Sequence, residues 1–372
     1  MEKQYDKYLK GYSNSISRWL RFGPYYAMFP MEFAFDVIEK YSDPHEYILD
    51  PFFGRGTSII AASVLNRRSL GIEINPLGWL YTKTKLNPAS PARVLRRLEE
   101  IDLMAKNYRK YLKNLPQYFR MCFCDDVLVF LLSSRDNLNW RKSKIDSTLM
   151  SFILVYLHGK IGEGLSNQMR MTKSMGYNYS IEWWRKNGFE NPPEVNPVEF
   201  IKKRIYWRYD KGKPELNHNE IHLADSSKYL DKLITQGNTS KYSLLFTSPP
   251  YWSITNYHTD QWLRMWLLGG EMEPKSLQDD HRGRFLSKQK YYELLDKVFY
   301  ASAKLLKMKS VAYIRTDARA FTFETTKQLL IKHFPKHEQQ IHLKPFNNKT
   351  QTQLFGDKSE KPGEVDIIMI RK

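Results

Sequence analysis

Short apolar runs closed by a polar residue alternate along the chain with stretches of helical spacing. YILD, residues 47–50, is the clearest: apolar positions in succession, then Asp50. A run that brief and that continuous predicts a strand buried on both faces. FFGRG follows, then TSIIAASVLN with a helix's spacing, then SLGIEI at 69–74 as the next strand. Strand, helix and strand in such close succession form a βαβ unit, which implies a parallel sheet covered by helices.

The rhythm returns at EIHLAD, 220–225, which leads into helical SSKYLDKLI, and at YSLLFT, 242–247, which stops at two prolines. Helical DQWLRMWLLG and KYYELLDKVFYASAKLL come next. A strand KSVAYIRTD, a helix FETTKQLLIKHF and a closing strand VDIIMIRK complete the pattern. Between about residues 86 and 215 the alternation fails. PARVLRRLEEIDLMAKNYRKYLKNL has helical periodicity, and the rest is irregular, aromatic and proline-containing. The pattern therefore predicts one discontinuous α/β domain, residues 1–85 and 216–372, interrupted by a largely helical insertion at 86–215.

Composition narrows the partner. Of 372 residues, 42% are hydrophobic and 26% charged, the balance of a globular chain with a true core. The formal net charge of +18 favours a polyanionic partner, nucleic acid above all. VLVFLL and SFILVYL fall well short of the roughly 18 apolar residues of a membrane span. MEKQYDKYLKGYSN has no apolar signal core, so a cytoplasmic location is expected. Cys122 and Cys124 sit too close for an ordinary disulfide and do not complete a metal site by themselves, which fits a reducing compartment and no metal.

Candidate chemistry gathers where strands end. In DPFFGRGT, residues 50–57, Gly54 and Gly56 let backbone pass close to a ligand. Ligands of open α/β sheets collect at such carboxyl-terminal strand ends. No Lys-Ser/Thr pair follows Gly56, so this is not a P-loop. Glu73 closes the next strand, where a carboxylate can accept from ribose hydroxyls. Asp225 ends the strand after that; it suits an adenine amino group, and equally an N-cap for the following helix.

TSPPY, residues 247–251, is the sharpest feature. Pro249 and Pro250 fix their own torsions and hold Ser248 extended. A serine hydroxyl and a proline carbonyl can together receive the hydrogens of an exocyclic amine, and Tyr251 offers a face to the flat base. Pro-Pro alone would be an ordinary strand stop. Its arrival after a glycine turn, Glu73 and Asp225, in that order, is what asks for more.

DPFFGRGT resembles the cofactor motif of amino-directed DNA methyltransferases, and TSPPY resembles their catalytic tetrapeptide in its cytosine-N4 form. RFGPYYAMFPMEFAFDVIEKY, just upstream, is similar to the segment that folds over the cofactor's methionine end. The resemblance covers about residues 20–85 and 220–372. It implies a Rossmann-like, mixed but mostly parallel seven-stranded sheet and S-adenosylmethionine as cofactor. Phe29, Pro30, Asp50, Phe52, Gly54 and Gly56 would line that cofactor, with Glu73 on ribose and Asp225 on adenine. Ser248, Pro249, Pro250 and Tyr251 would be catalytic.

The implied reaction is methyl transfer to the N4 amine of cosubstrate cytosine in double-stranded DNA, by base flipping and direct attack. The implied setting is a restriction-modification system with a cognate endonuclease encoded nearby. Adenine N6, guanine N2 in RNA, and an inactive nucleic-acid-binding protein on the same fold stand as alternatives. Within the insertion, Trp183, Trp184, Lys202, Lys203, Arg204, Trp207 and Arg208 interleave aromatic and basic side chains as a DNA-reading surface would. A buried aromatic cluster beside a solvated basic face would look the same in sequence. The polar loop NNKTQTQLFGDKSEKPGE is a further candidate for recognition.

Overall fold

The computed structural model describes residues 3–24, 29–252, 257–274, 287–344 and 363–372. The chain forms two compact units, one of residues 29–74, 218–256 and 278–372, the other of 1–28, 75–217 and 257–277.

The first unit is built on a seven-stranded sheet. Its strands are β1 (Tyr47–Asp50), β2 (Arg68–Glu73), β3 (Asn219–Leu223), β4 (Tyr242–Thr247), β5 (Leu306–Asp317), β6 (Glu338–Lys344) and β7 (Glu364–Arg371). Across the sheet they run β3-β2-β1-β4-β5-β7-β6. The first five are parallel, and β7 lies antiparallel between β5 and β6. This is the mixed, mostly parallel sheet expected from the sequence.

Both faces are covered, which is why the central strands are apolar throughout. Successive side chains alternate between faces. Leu49, Leu245, Ala312 and Ile314 pack into one cluster with Leu230, Leu295 and Leu330, which come from helices Ser226–Thr235, Lys288–Leu305 and Ala320–His333. On the helix Met31–Tyr41, Phe33 meets Phe246 and Tyr313 edge-on at 5.6 and 5.7 Å. Gly71 makes one approach possible: a Cβ there would lie 2.6 Å from the Phe53 ring.

One strand was not legible. EQQIHLK, which forms β6, is mostly exposed and polar, as an outermost strand must be to discourage further pairing.

The second unit is helical. Its helix Lys144–Tyr156 is buried from Asp146 onward, and Pro91–Ala105, Asp125–Asn137 and Pro197–Tyr209 pack in the same unit. Its extent differs from the expected boundaries at 85 and 216, because 1–28, 75–85 and 257–277 pack with the helices. The reasons are side-chain contacts distant in sequence. Trp19 meets Phe152 and Tyr209 at 6.0 and 5.0 Å, Thr84 Oγ1 bonds Ser151 Oγ at 2.8 Å, and Trp266 lies 4.6 Å from Phe119. No periodicity reports such partners. Among the described residues no helix is long and apolar enough to cross a membrane.

Candidate active site at the carboxyl edge of the sheet

Parallel strands in the order β3-β2-β1-β4 bring their carboxyl ends to one edge. Asp225, Glu73, Asp50 and Ser248, scattered over the chain, therefore stand at successive strand tips. Neighbouring strands lie about 4.8 Å apart, so the four span a length suited to one extended small molecule.

Asp50 holds the centre. Its Oδ1 accepts from Phe52 N–H at 3.0 Å and from Thr247 Oγ1 at 2.6 Å, while Oδ2 accepts from Ser58 Oγ. One carboxylate thus fastens the glycine turn, the start of helix Thr57–Val64 and the tip of β4. Burial pushes its carboxyl up to about 6, against those hydrogen bonds. Gly54 and Gly56 take φ of +56° and +79°, and Gly56 caps the helix in the left-handed region. Phe52 is half-buried and packs on the core below; the neighbouring Phe53 is the one buried against Gly71.

Glu73 accepts the Gly54 N–H at 2.8 Å, so the tip of β2 and the glycine turn are one construction. Asp225 caps helix Ser226–Thr235: its Oδ1 accepts from Ser227 Oγ at 2.6 Å and from Lys228 N–H at 3.3 Å. Ser226 Oγ donates to the Pro51 carbonyl and ties this tip to the same turn. Phe29 stacks on Phe246 at 4.7 Å and 4°, and Pro30 opens the helix Met31–Tyr41.

TSPPY passes from a fully buried Thr247 to a half-buried Ser248 and Tyr251. The Ser248 hydroxyl donates to Tyr251 Oη at 3.4 Å, and Tyr251 donates to Glu364 Oε1 at 3.1 Å. Glu364 pairs with Arg315 at 3.4 Å, and Arg315 grips Asp366 with Nε and Nη2 at 2.6 and 2.8 Å. Burial, then the Glu364 charge, holds the Tyr251 phenol well above its usual range. Burial also raises the Glu364 carboxyl, with Arg315 opposing. Trp252 packs on Phe321 at 5.2 Å.

Sequence reasoning missed Ser58, Thr247, Ser226, Arg315, Glu364 and Asp366. A signal existed for the last two: acids alternating into an otherwise apolar strand, E-V-D-I-I, demand a buried cation.

The DNA-reading candidates separate by face. In helix Tyr177–Lys186, Trp184 is fully buried and its indole N–H donates to the Gln168 carbonyl at 2.8 Å. In helix Pro197–Tyr209, Arg208 is 4% exposed and donates to the Arg18 carbonyl. Both are core residues, and the expectation that they face DNA is corrected: each position falls on the inward stripe of its helix. Trp183 is half-buried and stacks on Phe189 at 5.6 Å. Arg204 lies over Phe200 at 4.7 Å. Lys203 and Trp207 are exposed, and Lys202 is partly so. The polar loop at 347–364 lies outside the described residues except for its last two positions.

Cys122 and Cys124 are buried thiols, and burial holds Cys122 well above the usual thiol range. Among the described residues no group of three or more His, Cys, Asp or Glu is arranged to hold a metal.

Residues 2–77, which include the glycine turn and Glu73, match the N6/N4 methyltransferase family described as DNA methylase. The type II methyltransferase M.MvaI of Kocuria varians is 23% identical over 268 residues, 65% of this chain and 55% of that protein. Both matches support the amino-directed DNA methyltransferase family. M.MthZI of Methanothermobacter thermautotrophicus is 33% identical over 89 residues, 23% of this chain and 25% of that one. The chain thus spans about half the length of M.MvaI and a quarter of M.MthZI. The solved structure of the rRNA methyltransferase aviRa of Streptomyces viridochromogenes aligns with 97% of this chain and 96% of its own at 11% identity, with a TM-score of 0.33.

S-adenosylmethionine is the methyl donor of this family, and the donor set at the sheet edge fits it. Carboxylates at two successive tips, Asp225 and Glu73, suit a ligand that brings hydroxyl and amino groups. They would repel a polyphosphate. Asp50, 1% exposed with both oxygens bonded inside the protein, holds the turn from behind, and the expectation that it lines the cofactor is corrected.

Proposed function

We propose that this chain is a DNA methyltransferase that moves a methyl group from S-adenosylmethionine to the exocyclic N4 amine of cytosine, within a restriction-modification system. One observation carries the reading: the sheet order sets the Asp225–Glu73–Asp50 row directly beside Ser-Pro-Pro-Tyr. A cofactor site and an amine-binding rim on adjacent strand tips make a transfer site.

In this reading Glu73 accepts from ribose hydroxyls and Asp225 from the adenine amine. The backbone at Gly54 and Gly56 lets the cofactor lie close, Phe52 borders it, and Asp50 keeps the turn in place behind it. Phe29 and Pro30 border its methionine end. The cofactor, when bound, supplies a methyl group on a sulfonium.

Ser248 Oγ and the Pro249 carbonyl accept the hydrogens of the target amine. That favours a pyramidal nitrogen and turns its lone pair outward, where the acceptors act on developing positive charge. Holding the two reactants in line contributes about 7–11 kcal/mol. Pro250 keeps the rim rigid. Tyr251, with its hydroxyl tethered, stacks on a base flipped out of the duplex. Lys202, Lys203, Arg204, Trp183 and Trp207 of the helical unit contact the DNA backbone and bases, and an endonuclease of matching specificity acts on unmodified sites.

Labelled S-adenosylmethionine with mixed DNA and RNA, followed by nucleoside mass spectrometry, tests this. N4-methylcytosine is the expected product. N6-methyladenine would move the target to the other amine that the same rim accepts, and label found in RNA alone would remove DNA as substrate.

A further inference from the structure

Ser248 acts in the proposed transfer only as an acceptor, yet a hydroxyl both donates and accepts. Something must commit its proton elsewhere. A carboxylate carries no proton, so the Tyr251–Glu364 contact at 3.1 Å is a donation from tyrosine to glutamate. With its single proton spent there, Tyr251 Oη can only accept from Ser248, at 3.4 Å. The serine proton then points inward, and the oxygen's lone pairs face the rim.

The direction of the chain requires an ionised Glu364. Arg315 supports ionisation at 3.4 Å, while burial and the neighbouring Asp366 and Asp317 oppose it. Arg315 itself is 7% exposed, bound in two places by Asp366 and seated over the Phe33 ring at 3.5 Å. Tyr313 Oη donates to Asp366 at 2.8 Å and completes the clamp. A buried guanidinium held this firmly makes a fixed counter-charge.

We propose that Glu364 is a positioning residue: through Tyr251 it fixes the direction of the hydrogen-bond chain so that the Ser248 oxygen meets the nucleobase amine as an acceptor. This rests on the amine-methyltransferase reading of the same site. The Ser248 contact is long at 3.4 Å, and contacts of this kind tighten in a substrate complex.

The test pairs a substrate-free signal with kinetics. Protein labelled with ¹³C at the tyrosine ζ-carbon reports the phenol directly, and the resonance absent from Tyr251→Phe identifies Tyr251. In Glu364→Gln that resonance should shift and begin to titrate at lower pH, because the negative neighbour is gone. With DNA, Glu364→Gln should lower kcat on the order of tenfold to a hundredfold while leaving the KM for S-adenosylmethionine unchanged. The double variant Glu364→Gln with Tyr251→Phe should be no slower than Tyr251→Phe alone. A Tyr251 resonance identical in wild type and Glu364→Gln overturns the proposal, as does an unchanged kcat in an active enzyme. Wild-type protein inert toward all nucleic acid would instead remove the functional reading, while the tyrosine signal still decides whether Glu364 holds the phenol.

Discussion

The carboxyl edge of the sheet and the helix Pro197–Tyr209 were both marked by their sequence as functional, and the structure treats them differently. At the sheet edge, proline fixes its own torsion and glycine permits the positive φ the turn needs, so the motif and the geometry coincide. Asp50, Glu73, Asp225 and Ser248 arrive at adjacent tips. On the helix, a basic-aromatic run says nothing about which side faces inward. Pro197, Ile201, Ile205 and Arg208 form the buried stripe, and Glu199, Lys203, Tyr206 and Trp207 the exposed one. Composition names a surface, and only periodicity divides it.

The sharpest break between these readings is at the paired tryptophans. Trp184→Ala should destabilise the protein by about 3–5 kcal/mol, the usual cost of deleting a buried tryptophan. Trp183→Ala, at a half-buried ring stacked on Phe189, should cost clearly less. Urea unfolding of both variants measures the gap. Equal costs would mean that the two faces of helix Tyr177–Lys186 are wrongly divided.

At the sheet edge, Asp50 offers a pH signature. Its carboxyl is raised to about 6 from a model-peptide value near 4, so the folded state binds its proton more tightly than the unfolded chain. The stability linked to that proton is fully present below the unfolded value and is lost as pH rises through the folded one. Two units amount to about 3 kcal/mol. Unfolding free energies of wild type and Asp50→Asn should therefore diverge between about pH 4 and 6, with the wild type losing more. Parallel pH profiles would mean that Asp50 is better hydrated than its hydrogen bonds to Thr247 and Ser58 indicate.

Glu73 bonds the glycine turn and, in the proposed function, the cofactor's ribose, and the two roles separate by measurement. Losing charged hydrogen bonds to a ligand costs about 1.5–3 kcal/mol, so Glu73→Ala should weaken S-adenosylmethionine binding roughly tenfold to a hundredfold by calorimetry. Glu73→Gln keeps an oxygen for the Gly54 N–H and should recover stability before affinity. Unchanged affinity in both variants would displace the cofactor from this edge.

What the chain disclosed follows one rule. Six of the seven strands and the row of tip residues came from local patterns, because a sheet with both faces covered writes itself as apolar runs. β6 escaped, since an exposed edge strand carries polar residues like any loop. Residues 1–28 and 257–277 joined the helical unit through Trp19, Trp262 and Trp266, whose partners lie far away in sequence. The Glu364–Arg315–Asp366 clamp was half visible, as acids inside an apolar strand, but its cation belongs to a different strand.

The smallest effect is also the one that tests the outward stripe. Lys203→Ala should reduce the slope of log K against log salt for DNA binding by about 1, the signature of one lost phosphate contact. Lys202→Ala should do less, since its ammonium already lies 3.8 Å from Glu199 and sits on the boundary between the stripes. Arg208→Ala is the control: a guanidinium bonded to the Arg18 carbonyl inside the unit should alter stability and leave the salt slope of the folded fraction unchanged. A slope that drops for Arg208 and holds for Lys203 would place DNA on the opposite side of the helix and reverse the assignment of its faces.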